Sequence, residues 1–150
     1  YCSIWFAGIS LGAYSALLYA AAHAPTLQHR LAGLYLMSPY PGTNDILAEI
    51  LAAGSLAAWN RRYPSREDER AWWHWLHVSG EARGPAPAVY FGAGKTDRFF
   101  RGQALIAQAL PPARVQWVEG RHDWPTWRNL WDGWLDHGPL TRDAMGRPLQ

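Results

Sequence analysis

Four short apolar runs recur along this chain with helix-forming sequence between them, and no other feature narrows the choice of fold as far. The runs are IWFAG at 4–8, LAGLYLMS at 31–38, AVYFGAG at 88–94 and RVQWVEG at 114–120. The first three are continuously apolar, the pattern of strands buried on both faces, whereas the fourth alternates and predicts a strand nearer a sheet edge. Ser10 to Ala24 is rich in alanine and leucine and predicts a buried helix, with Pro25 as its stop. Residues 45–60 and 66–78 read as two helices split by RRYPS, and EARGPAPA at 81–88 as a loop. A helix over 100–110 should end at Pro111 and Pro112. A last, amphipathic helix over 126–137 puts Leu130, Trp131, Trp134 and Leu135 on one side. Strands alternating with helices predict parallel pairing and an α/β layered fold.

The chain has 150 residues, enough for one domain with a real core. Its composition, 49% apolar and 17% charged, is that of a globular chain rather than a disordered one. Net charge is +2 and the arginines are scattered, which argues against nucleic-acid or membrane-surface partners. No apolar run is long enough to span a bilayer. With Cys2 as its one cysteine the chain forms no internal disulfide. The chain starts at Tyr1 and enters a strand almost at once, so the start of the protein is expected to lie outside it. A signal peptide would lie there too, which leaves the compartment open, with the cytoplasm favoured. Nothing in the sequence sets the oligomeric state. Residues 1–137 read as one domain, 43–80 as a helical insertion that could act as a lid, and 138–150 as a flexible polar tail.

Within FAGISLGAYSALLYA, residues 8–12 spell G-x-S-x-G between a strand and a helix. That spacing, in that context, is the nucleophile elbow. A serine on so tight a turn is lifted clear of the sheet, and glycines at Gly8 and Gly12 remove side chains expected to collide with the adjoining strand and helix. Ser10 then lies near a helix N-terminus, with the Leu11 amide directed to where an oxyanion would form. The plainer reading makes Ser10 a helix cap. A serine nucleophile needs a base, and the base an orienting acid, in the order Ser, Asp or Glu, His for this architecture. Asp97 follows the third apolar run and His122 the fourth, each just beyond a strand's carboxyl end. As ordinary loop residues, Asp97 would cap a turn and His122 would be solvated. Asp45 ranks second as the acid, and Asp123 last, since its side chain would have to double back to reach its neighbour's ring.

Other motifs read less sharply. GAGKT at 92–96 looks like the end of a phosphate loop, but position 89 is valine rather than the required glycine, and no helix starts at once. His74 and His77 have no third ligand nearby for zinc and read as solvated. Ten tryptophans form two clusters. The one at Trp59, Trp72, Trp73 and Trp75 reads as packing, with the lining of an acyl pocket as the alternative.

Together these residues resemble the α/β-hydrolase superfamily, in particular its serine esterases. GRHDWPTWRNLW is similar to the G-x-H-x-W-x-x-W-R stretch of enterochelin-esterase-like and feruloyl-esterase-like enzymes. The resemblance implies a three-layer α/β-hydrolase fold with a mostly parallel sheet, of which this chain is the C-terminal part. The first four strands and the loop supplying a second oxyanion donor would be absent. It implies Ser10 as nucleophile, Asp97 as acid, His122 as base and Leu11 as an oxyanion donor. A small-molecule ester would be cleaved through an acyl-enzyme with water as final acceptor, and no metal or organic cofactor is implied. Acyl transfer by the same residues, or a binding protein on this fold, are the alternatives. Lacking those strands, the 150-residue chain is expected to aggregate or stay partly unfolded and show little activity by itself.

Overall fold

The computed structural model describes residues 3–27, 30–62, 69–81 and 87–137. Four strands, β1 (Ile4–Ile9), β2 (Leu31–Met37), β3 (Ala88–Gly94) and β4 (Val115–Val118), pair in chain order, all parallel. Helix α1 (Leu11–Leu27) joins β1 to β2. Between β2 and β3 come α2 (Asn44–Ala52), α3 (Leu56–Arg62) and α4 (Arg70–Glu81), and α5 (Phe100–Gln108) precedes β4. Helix α6 (Trp124–His137) follows β4. The register pairs Ile9 with Met37, Met37 with Gly92, and Gly94 with Val118, so the strands end together at one sheet edge.

Alternation along β2 separates the two faces. Leu34 and Leu36 face a core shared with Ala13 and Leu17 of α1, Ile106 of α5, and Trp59, Trp72 and Trp73. Tyr35 and Met37 face the other way, against Leu130 and Trp134 of α6. The sheet is therefore covered on both faces, in three layers. Trp59, Trp72 and Trp73 are fully buried, so the first tryptophan cluster is core rather than pocket lining. His74 is buried with them, stacked on Trp59 with ring centroids 4.6 Å apart and hydrogen-bonded to Asn60, contrary to the expectation of a solvated histidine. No described helix is long and apolar enough to cross a membrane.

Several boundaries depart from the sequence reading. Helix α1 runs through Pro25 to Leu27, since a proline's own φ is helical and only one backbone bond is forfeited. The expected helix over 45–60 breaks in two, because Gly54 takes a φ of +82° and Ser55 Oγ accepts the Ala58 N–H to cap α3. The expected helix over 66–78 is α4, which starts at Arg70, and 66–68 lie outside the described residues. So do 82–86 of the expected loop and the expected tail 138–150. Helix α6 begins two residues early, and its inner face is Trp127, Leu130, Trp131 and Trp134, leaving Leu135 exposed. β1 was expected to be buried on both faces. Only Gly8 of it is buried, because β1 is an edge strand of the described sheet.

The two elbow glycines are not equivalent. A Cβ at Gly8 would lie 2.5 Å from the Ala13 nitrogen and 2.6 Å from the Gly12 carbonyl, backbone atoms that cannot swing aside. A Cβ at Gly12 meets nothing within 4 Å among the described residues, so the expected collision there does not arise. Gly8→Ala should cost about 3 kcal/mol of stability or more, as overpacking against fixed atoms does. Gly12→Ala, inside a helix, should be neutral or stabilising by up to about 1 kcal/mol. Urea unfolding midpoints of the two variants against the parent check both signs.

Candidate active site

β1 ends in a turn that the chain makes at Ser10 with a φ of +51°, a left-handed backbone that a residue with a Cβ rarely adopts. The turn is held from three directions. The Ser10 N–H donates to the Met37 carbonyl of β2 at 2.9 Å, and the Ser10 carbonyl accepts the N–H groups of Tyr14 and Tyr40, each at 3.1 Å. The hydroxyl does not cap α1. It stands 2.8 Å from His122 Nε2, a contact between residues 112 positions apart. Leu11 opens α1, so its N–H has no carbonyl within the helix to bond.

The loops after β3 and β4 carry the other two groups and are laced together. The Lys95 N–H donates to the Val118 carbonyl at 2.9 Å, and the Thr96 N–H and hydroxyl both donate to the Gly120 carbonyl, at 3.0 and 2.7 Å. Lys95 Nζ reaches Glu119 at 2.5 Å. The lysine and threonine of GAGKT thus serve this lacing. Asp97, fully buried in its side chain, sits at the end of the seam. One carboxylate oxygen accepts the Phe99 N–H at 2.9 Å, and the other faces His122 Nδ1 at 2.9 Å. A carboxylate only accepts, so the neutral ring carries its proton on Nδ1 and turns the Nε2 lone pair to the serine hydroxyl.

Ser10, His122 and Asp97 are thereby brought together, while among the described residues neither Asp45 nor Asp123 bonds to the ring. Asp45 is exposed in the first turn of α2. Asp123 caps α6: its Oδ1 accepts the Thr126 hydroxyl at 2.6 Å and the Thr126 N–H at 3.2 Å. These two bonds hold the Asp123 carboxyl below the usual aspartate range. Among the described residues no group of three or more His, Cys, Asp or Glu side chains could hold a metal ion.

Sequence reasoning did not find four further features of the site. The rings of Phe99 and Trp127 both pack T-shaped against His122, with centroids 5.1 and 5.2 Å away and both planes at 88°. Trp127 belonged to the quoted G-x-H-x-W-x-x-W-R stretch, whereas Phe99 carried no signal of its own. Ser38, at the carboxyl end of β2, is with Ser10 one of two described residues other than glycine with a positive φ, +43°, and its buried hydroxyl has no partner among the described residues. Tyr14 donates to Glu69 at 2.8 Å, and Glu69 also accepts the Thr43 N–H at 3.0 Å, which ties α1 to the segments on either side of α2 and α3. Burial, then the Glu69 bond, push the Tyr14 hydroxyl well above its ordinary pKa.

No protein-family model matches the sequence, and no curated protein is similar to it at a significant level. Among solved structures, that of a ferulic acid esterase is similar to it, with a TM-score of 0.50 and 17% sequence identity. The match covers 84% of this chain and 47% of that one, so the chain spans about half the length of that esterase. At this identity the likeness shows a shared, distantly related α/β fold.

The Asp123 cap makes stability depend on pH. A carboxyl held below its ordinary pKa stabilises the fold above the unfolded value of about 4, and that contribution fades as pH falls through the lowered folded value. Asp123→Ala should lower the melting temperature at neutral pH and narrow the gap to the parent as pH drops below about 4. Melting curves across that range check the sign.

Proposed function

We propose that this protein is a serine hydrolase that cleaves carboxylic esters, with Ser10 as nucleophile, His122 as general base and Asp97 as its orienting acid. The observation that carries the reading is the pair of contacts on one imidazole, 2.8 Å to Ser10 Oγ and 2.9 Å to Asp97. A cap or a solvated loop histidine has no reason to make either. The strained φ at Ser10 and the α/β likeness to an esterase structure support it.

In this reading Ser10 Oγ attacks the ester carbonyl carbon as its proton passes to His122 Nε2. The carbonyl oxygen gains the negative charge, and the Leu11 N–H at the start of α1 donates to it. As the tetrahedral centre collapses, the bond to the leaving alcohol breaks and Nε2 returns the proton to that alcohol. Water then repeats the sequence on the acyl-serine and releases the acid. Asp97 keeps the proton on Nδ1 throughout and balances the imidazolium. The acid is part of a seam, so the base cannot drift from the serine without breaking the lacing at Thr96 and Gly120.

A fluorophosphonate probe should label Ser10, since such probes report an activated serine without a known substrate. Ser10→Ala and His122→Ala should each lower ester turnover by about a thousand-fold or more. Asp97→Asn should cost less than either but still on the order of a thousand-fold, because its amide leaves the ring in the wrong tautomer. Asp123→Asn should stay within about ten-fold of the parent, since a cap touches no reacting atom. Labelling elsewhere than Ser10, or a larger loss from Asp45→Asn than from Asp97→Asn, would overturn the assignment.

A further inference from the structure

A cavity of about 560 Å³ opens between the start of α2 and the start of α5, within the size range of small-molecule sites. Apolar side chains make up most of its walls, among them Leu47 and Leu51 from α2, Leu105 from α5, and Phe99, with Asn44 at the start of α2 as a polar member. Phe99 is also the ring standing 5.1 Å from the His122 imidazole, so cavity and triad share a wall. Arg98 and Arg101 line the same cavity and are both exposed. Among the described residues neither pairs with a carboxylate; the Arg98 guanidinium lies over the Phe99 ring at 4.8 Å instead. The acids in this part of the fold are committed or apart. Asp97 is held by His122 and Phe99, Glu49 pairs with Arg70, and Asp45 is exposed with no ion pair among the described residues.

The arginines do not serve the helix they accompany. Arg98 lies just ahead of α5 and Arg101 in its first turn, where the helix dipole disfavours cations, and that turn carries no acid to offset them. Two guanidinium groups beside a largely apolar cavity, without a carboxylate partner among the described residues, suit a ligand with an apolar body and a negative end, because the planar fork binds a carboxylate through two parallel hydrogen bonds.

We propose that this cavity is a substrate subsite for a carboxylate on an apolar body, held by Arg98 and Arg101. The esters taken by the site would then be monoesters of dicarboxylic acids, or esters whose alcohol carries a carboxylate. As a statement about substrate this rests on the esterase reading; as a statement about binding it stands separately.

The test is a titration of the full chain carrying Ser10→Ala, followed by tryptophan fluorescence. The ligands are monoethyl adipate and the neutral diethyl adipate. The monoester should bind at least about ten-fold tighter, as charge-assisted bonds to arginine provide. Adding Arg98→Gln and Arg101→Gln should reduce that preference ten-fold or more, whereas Arg30→Gln, a surface cation at the start of β2, should keep it. Circular dichroism of each variant checks the fold. Equal binding of the two esters, or a preference that survives loss of both arginines, overturns the subsite. Fluorophosphonate labelling of the parent separates the two readings. Labelled Ser10 without a charge preference leaves the esterase and removes the subsite. An arginine-dependent preference without labelling upholds the carboxylate site and removes the esterase.

Discussion

Parallel, nearly flush pairing of four strands is the constraint on which the rest of the structure depends. With Ile9 opposite Met37, Met37 opposite Gly92 and Gly94 opposite Val118, the chain leaves the sheet at one edge each time a strand ends. Ser10, Ser38, Asp97 and His122 all lie in the first few residues beyond those ends. Residues far apart in the chain meet there because register leaves them no other place. A one-residue slip in any pair would turn a strand's buried side chains to the wrong face. The apolar matching of Leu34 and Leu36 to one layer, and of Tyr35 and Met37 to the other, therefore holds the site's geometry as well as the core.

Register brings the loops close, and hydrogen bonds complete the alignment. The seam between Lys95–Thr96 and Val118–Gly120 couples the loop that bears Asp97 to the loop that bears His122. Asp97 then divides its two oxygens between the Phe99 N–H and the imidazole, so one carboxylate organises both its own loop and the histidine. Phe99 and Trp127 both pack T-shaped against that ring. The strained backbone at Ser10 persists for a related reason: its N–H and carbonyl are bonded to β2, to α1 and to the segment after β2, which together over-determine the turn.

Competition for partners explains why similar residues have different fates. Asp97 and Asp123 flank the same histidine in space and in sequence, respectively. Asp123 is one residue from His122 but spends its carboxylate on the Thr126 hydroxyl and N–H, which cap α6. Asp97 is 25 residues away and reaches the ring. The tryptophans divide in the same manner. Trp59, Trp72 and Trp73 fill the core, Trp127 borders the imidazole, and Trp124, 60% exposed, lies one helical turn from it at the start of α6.

The sequence by itself determined the alternation of strands and helices, the G-x-S-x-G turn at Gly8–Gly12 between a strand and a helix, and the order in which Ser10, Asp97 and His122 follow the strand ends. These are local patterns: apolar periodicity and the spacing of glycines are written in neighbouring residues. It also ranked Asp97, after the third apolar run, above Asp45, and put Asp123 last because its side chain would have to double back to its neighbour's ring. Only the tertiary structure decided that Gly8 is crowded and Gly12 is not, since that depends on how closely α1 doubles back on β1. The same holds for the burial of His74 among tryptophans, the break at Gly54, and the half-exposed state of β1, each set by which layer covers which residue. Phe99 had no motif to mark it. Its place between the imidazole and the arginine-lined cavity exists only because the β3 and β4 loops are joined by hydrogen bonds, and a contact of that kind is a property of two distant segments rather than of either one.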